Sequence, residues 1–229
     1  MPFLGRGVAA IWHNVDAPVQ ADYNDWHCHE HMRERVSIPG FLRGRRYVAI
    51  EAERQFFHFY ETESLATLTS EAYLVRLNDP TPWTRRIGPA IRDNNRTLST
   101  VAASHGVGGG AAILTFRLGA AEGRDRRLSA WLGGLAPSLV GRSGIVGAHL
   151  LAGDRQSSQV QTAEKAMRDK ADEIADWVFL VEAIEPEFLA ALRQDELSDA
   201  NLAEHGAAQV IAGLYRLHYT LDAMELDRA

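Results

Sequence analysis

The feature that most constrains this 229-residue chain is the order of its predicted strands and helices, which occurs twice. In the first half, runs rich in β-branched and aromatic residues, such as GVAAIWHNV and QFFHFYET, alternate with polar, helix-compatible segments in the order strand, helix, strand, strand, helix, strand. The second half repeats that order, without obvious repetition of residues, from AAILTFRLG to AAQVIAGLYRLHYTL. An α+β fold with two tandem βαββαβ, ferredoxin-like units is therefore predicted.

The glycine-rich HGVGGG segment predicts a joint between the two units, which would span residues 1–108 and 109–229. Each unit would form an antiparallel sheet with helices on one face and an exposed apolar surface on the other. Pairing the two exposed faces, within one chain or between chains, gives an α+β barrel. The alternative is a single mixed α+β domain without internal symmetry.

The composition narrows the classes of partner. A formal charge of -6 and an isoelectric point near 5.8 argue against binding nucleic acid or anionic lipid, since both require a basic face. The sequence contains no apolar run of membrane-spanning length and no signal-like N-terminus, and its single cysteine, Cys28, excludes an internal disulfide. We therefore predict a cytoplasmic protein with a small-molecule partner, bound to neither nucleic acid nor membrane.

The segment WHCHEHMRERVSIPGFLRGRRY resembles the EthD-like branch of the dimeric α+β barrel superfamily. The matching positions on the first helix and the following turn are Trp26, Glu30, His31, Glu34, Arg35, Pro39 and Gly40. YLVRLNDPTPWTRR is similar to a segment that two-unit relatives carry after their second helix. The resemblance covers roughly the first hundred residues and implies the barrel fold, a homodimer, and a catalytic role for His31. The superfamily includes cofactor-free oxygenases, lactone isomerases and haem enzymes.

A metal site is the alternative interpretation of the same segment. His27, Glu30 and His31 match the H-x-x-E-H zinc protease pattern, and two histidines with one carboxylate could also form an iron-type triad. The pattern is short, and no third zinc ligand can be identified. We therefore predict no metal and no cofactor.

A helical wheel turning about 100° per residue favours a different histidine from the resemblance. The apolar anchors Tyr23, Trp26 and Val36 share a sector with His29, Glu30 and Arg33. His27, His31 and Arg35 would then face outward. An inward carboxylate beside an inward histidine suits general acid–base catalysis, so His29, Glu30 and His31 are the predicted catalytic residues. The alternative is a structural ion pair between Glu30 and Arg33.

Other residues are predicted to line a substrate pocket, namely Trp26, His13, His58, Tyr60, Arg45 and Trp83. Strand alternation gives Phe56, His58 and Tyr60 one face, and that face would join the cluster if it meets the first helix. A hydrogen-bonded sheet residue for His58, a solvated edge for Arg45 and simple packing for Trp83 are the alternatives. The remaining isolated histidines are interpreted as structural, namely His105, His149, His205 and His218.

Because the second half contains no Glu-His pair, one site per chain is predicted, in the first half. The leading functional hypothesis is a small cofactor-free enzyme that acts by proton transfer on an aromatic or apolar metabolite, as a lyase, isomerase or oxygenase. A non-catalytic binding or assembly protein and a metal or haem enzyme remain the alternatives.

Overall fold

The computed structural model describes residues 3–168 and 170–226. Eight strands lie within these ranges: β1 Gly7–Val15, β2 Phe41–Ala52, β3 Phe56–Thr62, β4 Ile91–Gly106, β5 Ala112–Ala120, β6 Ile145–Gly153, β7 Trp177–Ala183 and β8 Ala207–Asp222. The first half carries the helices α1 Gln20–Trp26, α2 Met32–Val36, α3 Glu71–Asn78 and α4 Pro82–Ile87. The second carries α5 Asp125–Val140, α6 Arg155–Ser158, α7 Ala163–Ala166, α8 Pro186–Gln194, α9 Asp199–Glu204 and α10 Ala223–Leu226.

The strands form one closed barrel in the order β1-β3-β2-β8-β5-β7-β6-β4, and all neighbouring strands are antiparallel. In each half of the chain the spatial order is fourth, first, third, second strand, which is the order of a βαββαβ unit. The halves meet where β2 pairs with β8 and β4 pairs with β6. The predicted α+β barrel fold is thereby confirmed, and the barrel closes within a single chain.

Strand alternation divides the apolar residues between the barrel interior and an outer layer beneath the helices. On β5, Leu114 and Phe116 pack with Leu128 and Leu132, which lie one turn apart on α5. Ile113, next to Leu114 on the strand, faces the barrel interior, where it joins an aromatic core. The second-half outer layer is filled by such leucine contacts. In the first half, by contrast, the corresponding space contains a cavity.

No helix within residues 3–168 and 170–226 combines the length and the apolar character that crossing a membrane requires.

Candidate functional site

The helix that carries the three clustered histidines contains a π-turn between α1 and α2. His27–His31 forms this turn, and the N–H of Met32 donates to the carbonyl of His27, five residues back. A π-turn acts as one extra residue in the helix, so side chains beyond it are rotated relative to a regular wheel. The residues on the buried face are Tyr23, Trp26, His27, His31, Met32, Arg35 and Val36.

Five orientations predicted by the regular wheel are therefore wrong. His29 and Arg33 are exposed to solvent to a greater degree than His31 and Arg35, which are buried. His27, which the wheel also placed outward, is only 1% exposed. Once the π-turn is counted as one inserted residue, the buried side chains occupy about half of the helix circumference, as expected for a packed helix. His31, the histidine that the resemblance favoured, faces inward.

The outer face of the sheet supplies the other side of the site. His13 on β1 and His58 on β3 both point toward the helix, and Tyr60 follows His58 on the same face, as the alternation predicted. The strand registers place Arg96, Ile11, His58 and Arg46 side by side across β4, β1, β3 and β2. We call these four residues the cross-strand row.

Four buried histidines meet between the sheet and the helix. The ring of His58 lies 5.2 Å from that of His13 and 4.9 Å from that of His27, measured between centroids. The rings of His27 and His31 are 5.5 Å apart. A hydrogen bond of 2.8 Å joins His13 Nε2 to the hydroxyl of Tyr23. His58 is therefore the central member of the cluster.

Burial lowers the pKa of every member of this cluster. The pKa of His58 falls to about 3, with a further contribution from the positive charge of Arg46. For His13, His27 and His31 burial is again the main cause and places the pKa well below 6.5. All four rings are therefore neutral at physiological pH, which is the form that accepts a proton.

Several polar atoms of the cluster have no partner among the described residues. Both ring nitrogens of His27 are buried and unpartnered, as are Nδ1 of His13, His31 and His58 and the hydroxyl of Tyr60. Buried polar atoms normally find a hydrogen-bond partner, because leaving one unpaired costs about 1–3 kcal/mol. A ligand or ordered water in the space beside them would satisfy these atoms.

That space is a cavity of about 50 Å³. Its walls combine aromatic, histidine and apolar side chains from the first half, namely Ile11, His13, Tyr23, Trp26, His27, His31, His58, Tyr60, Tyr73, Leu77 and Ile91. An apolar wall with a few convergent polar groups is the usual character of a small-molecule site. The size favours a compact ligand.

A segment from the second half of the chain closes one side of the cavity. Thr162, Glu164, Lys165, Met167 and Arg168 line it. Glu164 forms an ion pair with Arg35 of α2, and both side chains are buried. The cavity is thus enclosed by both halves of the chain, although its histidines come from the first half only.

The structure places Glu30 behind the cavity wall rather than in it. Its carboxylate accepts hydrogen bonds from the hydroxyls of Thr81 and Thr84, at 2.5 and 3.5 Å. Thr84 in turn accepts a bond of 3.1 Å from the indole N–H of Trp26, and both of these residues line the cavity. The geometry therefore assigns Glu30 a positioning contact with the wall, and the predicted inward carboxylate is wrong.

Arg45 and Trp83 do not line the cavity either. Arg45 points into the barrel interior, on the opposite face of β2 from Arg46, and bonds to Glu182 at 2.7 and 3.1 Å. Trp83 is half-buried at the outer surface, and its indole N–H donates to Asp22 at 2.9 Å. Packing, the alternative for Trp83, is what the structure shows.

The barrel interior also contains a histidine that the sequence left isolated. His149 is hydrogen-bonded through Nδ1 to Ser104 at 2.8 Å and through Nε2 to Glu182 at 3.2 Å, and it stacks on Phe3 at 4.1 Å. Strand pairing brings these residues together from distant parts of the chain. Their spacing in the sequence gives no signal of this network.

Among the cavity residues, sequence reasoning missed His27 as a wall residue, together with Arg35, Arg96 and Glu164. Arg96 could have been found, because alternation along β4 places it on the same face as Leu98. Glu164 could not, since nothing local links it to Arg35. Within the two described ranges, no group of three or more His, Cys, Asp and Glu side chains is arranged to hold a metal ion.

Acid should destabilise this cluster. The unfolded chain takes up protons below about pH 6.5, whereas the folded rings resist protonation, so their stabilising contribution is present above that pH and is lost as the pH falls toward about 3 for His58. Urea unfolding of the wild type should show a steep loss of stability between about pH 7 and about pH 5. His58→Phe should lose about 2 kcal/mol less over that interval. An identical pH dependence in both proteins would contradict the buried neutral state of His58.

The closed antiparallel barrel, with helices outside it and a histidine-lined cavity beneath one helical layer, defines an α+β barrel protein. The sequence matches no protein-family profile and no curated protein. Solved structures do share its fold. An anthrone oxidase-like protein is similar with a TM-score of 0.66 and 13% identity, covering 95% of this chain and 92% of that one.

Two candidate monooxygenases have the same architecture. The protein from Fusobacterium nucleatum subsp. nucleatum ATCC 25586 has a TM-score of 0.61 and 8% identity, over 96% of this chain and 95% of its own. The protein from Lactobacillus acidophilus NCFM has a TM-score of 0.56 and 7% identity, over 95% of this chain and 97% of its own. At such identities the similarity establishes the fold, and the chemistry must be argued from the site.

Proposed function

We propose that this protein is a cofactor-free enzyme of the oxygenase type, which removes a proton from an activated carbon of a compact aromatic metabolite. The observation that carries the proposal is the cluster of four neutral, buried histidines with unpartnered ring nitrogens beside an aromatic cavity. Neutral imidazole is the common general base of proteins, and groups with strongly shifted pKa values concentrate at functional sites.

His58 is the residue that we assign as the base. It is central in the cluster, and Nδ1 is buried without a partner. Its low pKa means that the protonated ring is poorly stabilised unless an anion forms beside it. Proton transfer is therefore coupled to a substrate that becomes negatively charged in the cavity. His27 and His31 are placed to orient the substrate or to pass the proton on.

The surroundings of His58 favour that negative charge. Arg46, its neighbour in the cross-strand row, is fully buried and has no carboxylate partner among the described residues. Its guanidinium instead lies 4.7 Å from the ring centres of both Tyr23 and Phe56 and contacts Asn24. A fixed positive charge in a site of low polarity stabilises a developing enolate or carbanion more than it would in water.

A carbanion of this kind can react directly with dioxygen. The base removes one methylene proton, dioxygen forms a bond to the carbon, and the second methylene hydrogen leaves as the oxygen–oxygen bond breaks. One methylene group and one dioxygen thus yield one carbonyl group and one water, with the carbon oxidised by four electrons and dioxygen reduced by four. The structural neighbours named above, an anthrone oxidase-like protein and two candidate monooxygenases, support an oxygenase of this type.

The test uses 2-indanone, a compact ketone whose methylene is flanked by an aromatic ring and a carbonyl, with anthrone as a larger probe. The protein is expected to consume dioxygen with at least one of them and to form one molecule of diketone or quinone for each dioxygen. Under anaerobic conditions in D2O it should still exchange the methylene hydrogens. Failure of both uptake and exchange with both probes would contradict the proposal.

A non-catalytic binding protein of the same fold is the second candidate, supported by the same cavity and its unpartnered polar atoms. It predicts binding of the probes without exchange. A metal or haem enzyme is distinguished from these two candidates by elemental analysis and an absorption spectrum of protein purified without a histidine tag.

A further inference from the structure

The cavity has a cationic end that proton transfer does not use. Arg96 lines it, is only 6% exposed, and makes one side-chain hydrogen bond, from Nη2 to the hydroxyl of Tyr73 at 3.1 Å. Its guanidinium also lies 5.9 Å from the centre of the Tyr73 ring. No carboxylate within residues 3–168 and 170–226 forms an ion pair with it.

Other buried arginines of the protein do have such partners. Arg35 pairs with Glu164, Arg45 with Glu182, and Arg117 with Glu53 and Glu173. Arg46, the other exception, is enclosed by two aromatic rings and an amide oxygen. Burying a charge without a counterion is energetically costly. Proteins therefore normally pair such a charge with an opposite one or place it where a bound ligand supplies the counterion.

Two more cations adjoin Arg96. Lys165 and Arg168 also line the cavity, and the charge of Arg96 acts on both. Burial lowers the pKa of both groups, and the charge of Arg96 lowers it further, whereas Asp172 acts in the opposite direction. Asp172 is bonded to Arg168 at 2.9 and 3.0 Å and lies 3.7 Å from Lys165, so one carboxylate serves two cations. The positive charge of Arg96 therefore remains uncompensated.

The sheet fixes the backbone separation of Arg96 and His58. In the cross-strand row they lie on either side of Ile11, two strand spacings or about 10 Å apart along the sheet. Both side chains line the same cavity. The apolar side chain of Ile11 lines the cavity between the two polar ends.

We propose that Arg96 forms a subsite for a carboxylate or phenolate, and that the substrate is a compact aromatic acid held by this anionic group with its reactive carbon near His58. The inference rests on the proposed function in taking this cavity as the substrate site. A guanidinium recognises a carboxylate through paired, charge-assisted hydrogen bonds, which fixes the orientation of the ring as well as adding affinity.

The probes are phenylacetate and its neutral analogue phenylacetamide, and calorimetry measures their binding to the full chain. Wild-type protein should bind phenylacetate at least about 10-fold more tightly than the amide, since charge-assisted hydrogen bonds are the stronger ones. In Arg96→Gln the preference should disappear, with the amide affinity changed by less than about 3-fold. Arg76→Gln removes an exposed arginine of α3 and should retain the full preference.

Equal affinities for the two probes in the wild type, or no binding of either, would overturn the inference without the use of any variant. An anion preference that persists in Arg96→Gln would also overturn it. Because binding is measured without turnover, the outcome is separate from that of the proposed function. Charge-selective binding without hydrogen exchange would support the anion subsite and contradict the proposed enzyme. Hydrogen exchange without charge-selective binding would support the enzyme and contradict the subsite.

Discussion

Replacing Glu182 by glutamine is expected to lower the free energy of unfolding by about 3–5 kcal/mol, the usual cost of breaking a buried ion pair from one side. Glu182 is 1% exposed and accepts bonds from Arg45, from the backbone N–H of Gly110 at 3.0 Å and from His149. Burial alone would raise the pKa of this carboxyl group, but Arg45 and His149 hold it well below its usual range. The variant leaves Arg45 buried beside a neutral amide, with the longer contact of 3.4 Å to Glu61 as its remaining ion pair.

The matched control is Glu196→Gln, which breaks the more exposed ion pair of Glu196 with Arg142. Partly exposed pairs contribute about 0–1 kcal/mol, since solvent and salt screen them. Urea unfolding of the two variants at neutral pH should therefore separate them by at least about 2 kcal/mol. A similar loss of unfolding free energy in both variants would contradict a stabilising role for the buried contacts of Glu182.

The fold was predictable because its signals are local and repeated. Alternation on β3 places Phe56, His58 and Tyr60 on one face and Phe57 and Phe59 on the other, and the structure follows this pattern. The doubled order of strands and helices predicted two βαββαβ units, and each half of the barrel has the strand order of such a unit. These features depend only on neighbours along the chain, so a single sequence contains them.

The site was only partly predictable, because one of its determinants departs from regular helix geometry and another joins distant parts of the chain. The π-turn at His27–His31 rotates the helix beyond it, which reverses the assignments of His29 and His31 made from a regular wheel. The pairing of Arg35 with Glu164 depends on a segment more than a hundred residues away. His13 and His58 were predictable as cavity residues, since strand alternation alone places them on the helix-facing side.

His58→Phe is expected to reduce the rate of proton abstraction by about 10²–10⁴-fold, the usual contribution of a positioned general base. Phenylalanine retains a planar ring at the centre of the aromatic cluster but has no nitrogen to accept the proton. His29→Phe is the matched control on the neighbouring helix, because His29 is exposed to solvent and lies outside the cavity. A rate within about 3-fold of the wild type is expected for that variant.

The most direct test of the neutral-histidine cavity is the rate at which deuterium from D2O enters the methylene of 2-indanone, followed by proton NMR without dioxygen. We expect rapid exchange with the wild type and His29→Phe and a loss of at least about 10²-fold with His58→Phe. Equal exchange by wild type and His58→Phe, or a larger loss in His29→Phe, would contradict the assignment of the base to the buried cluster.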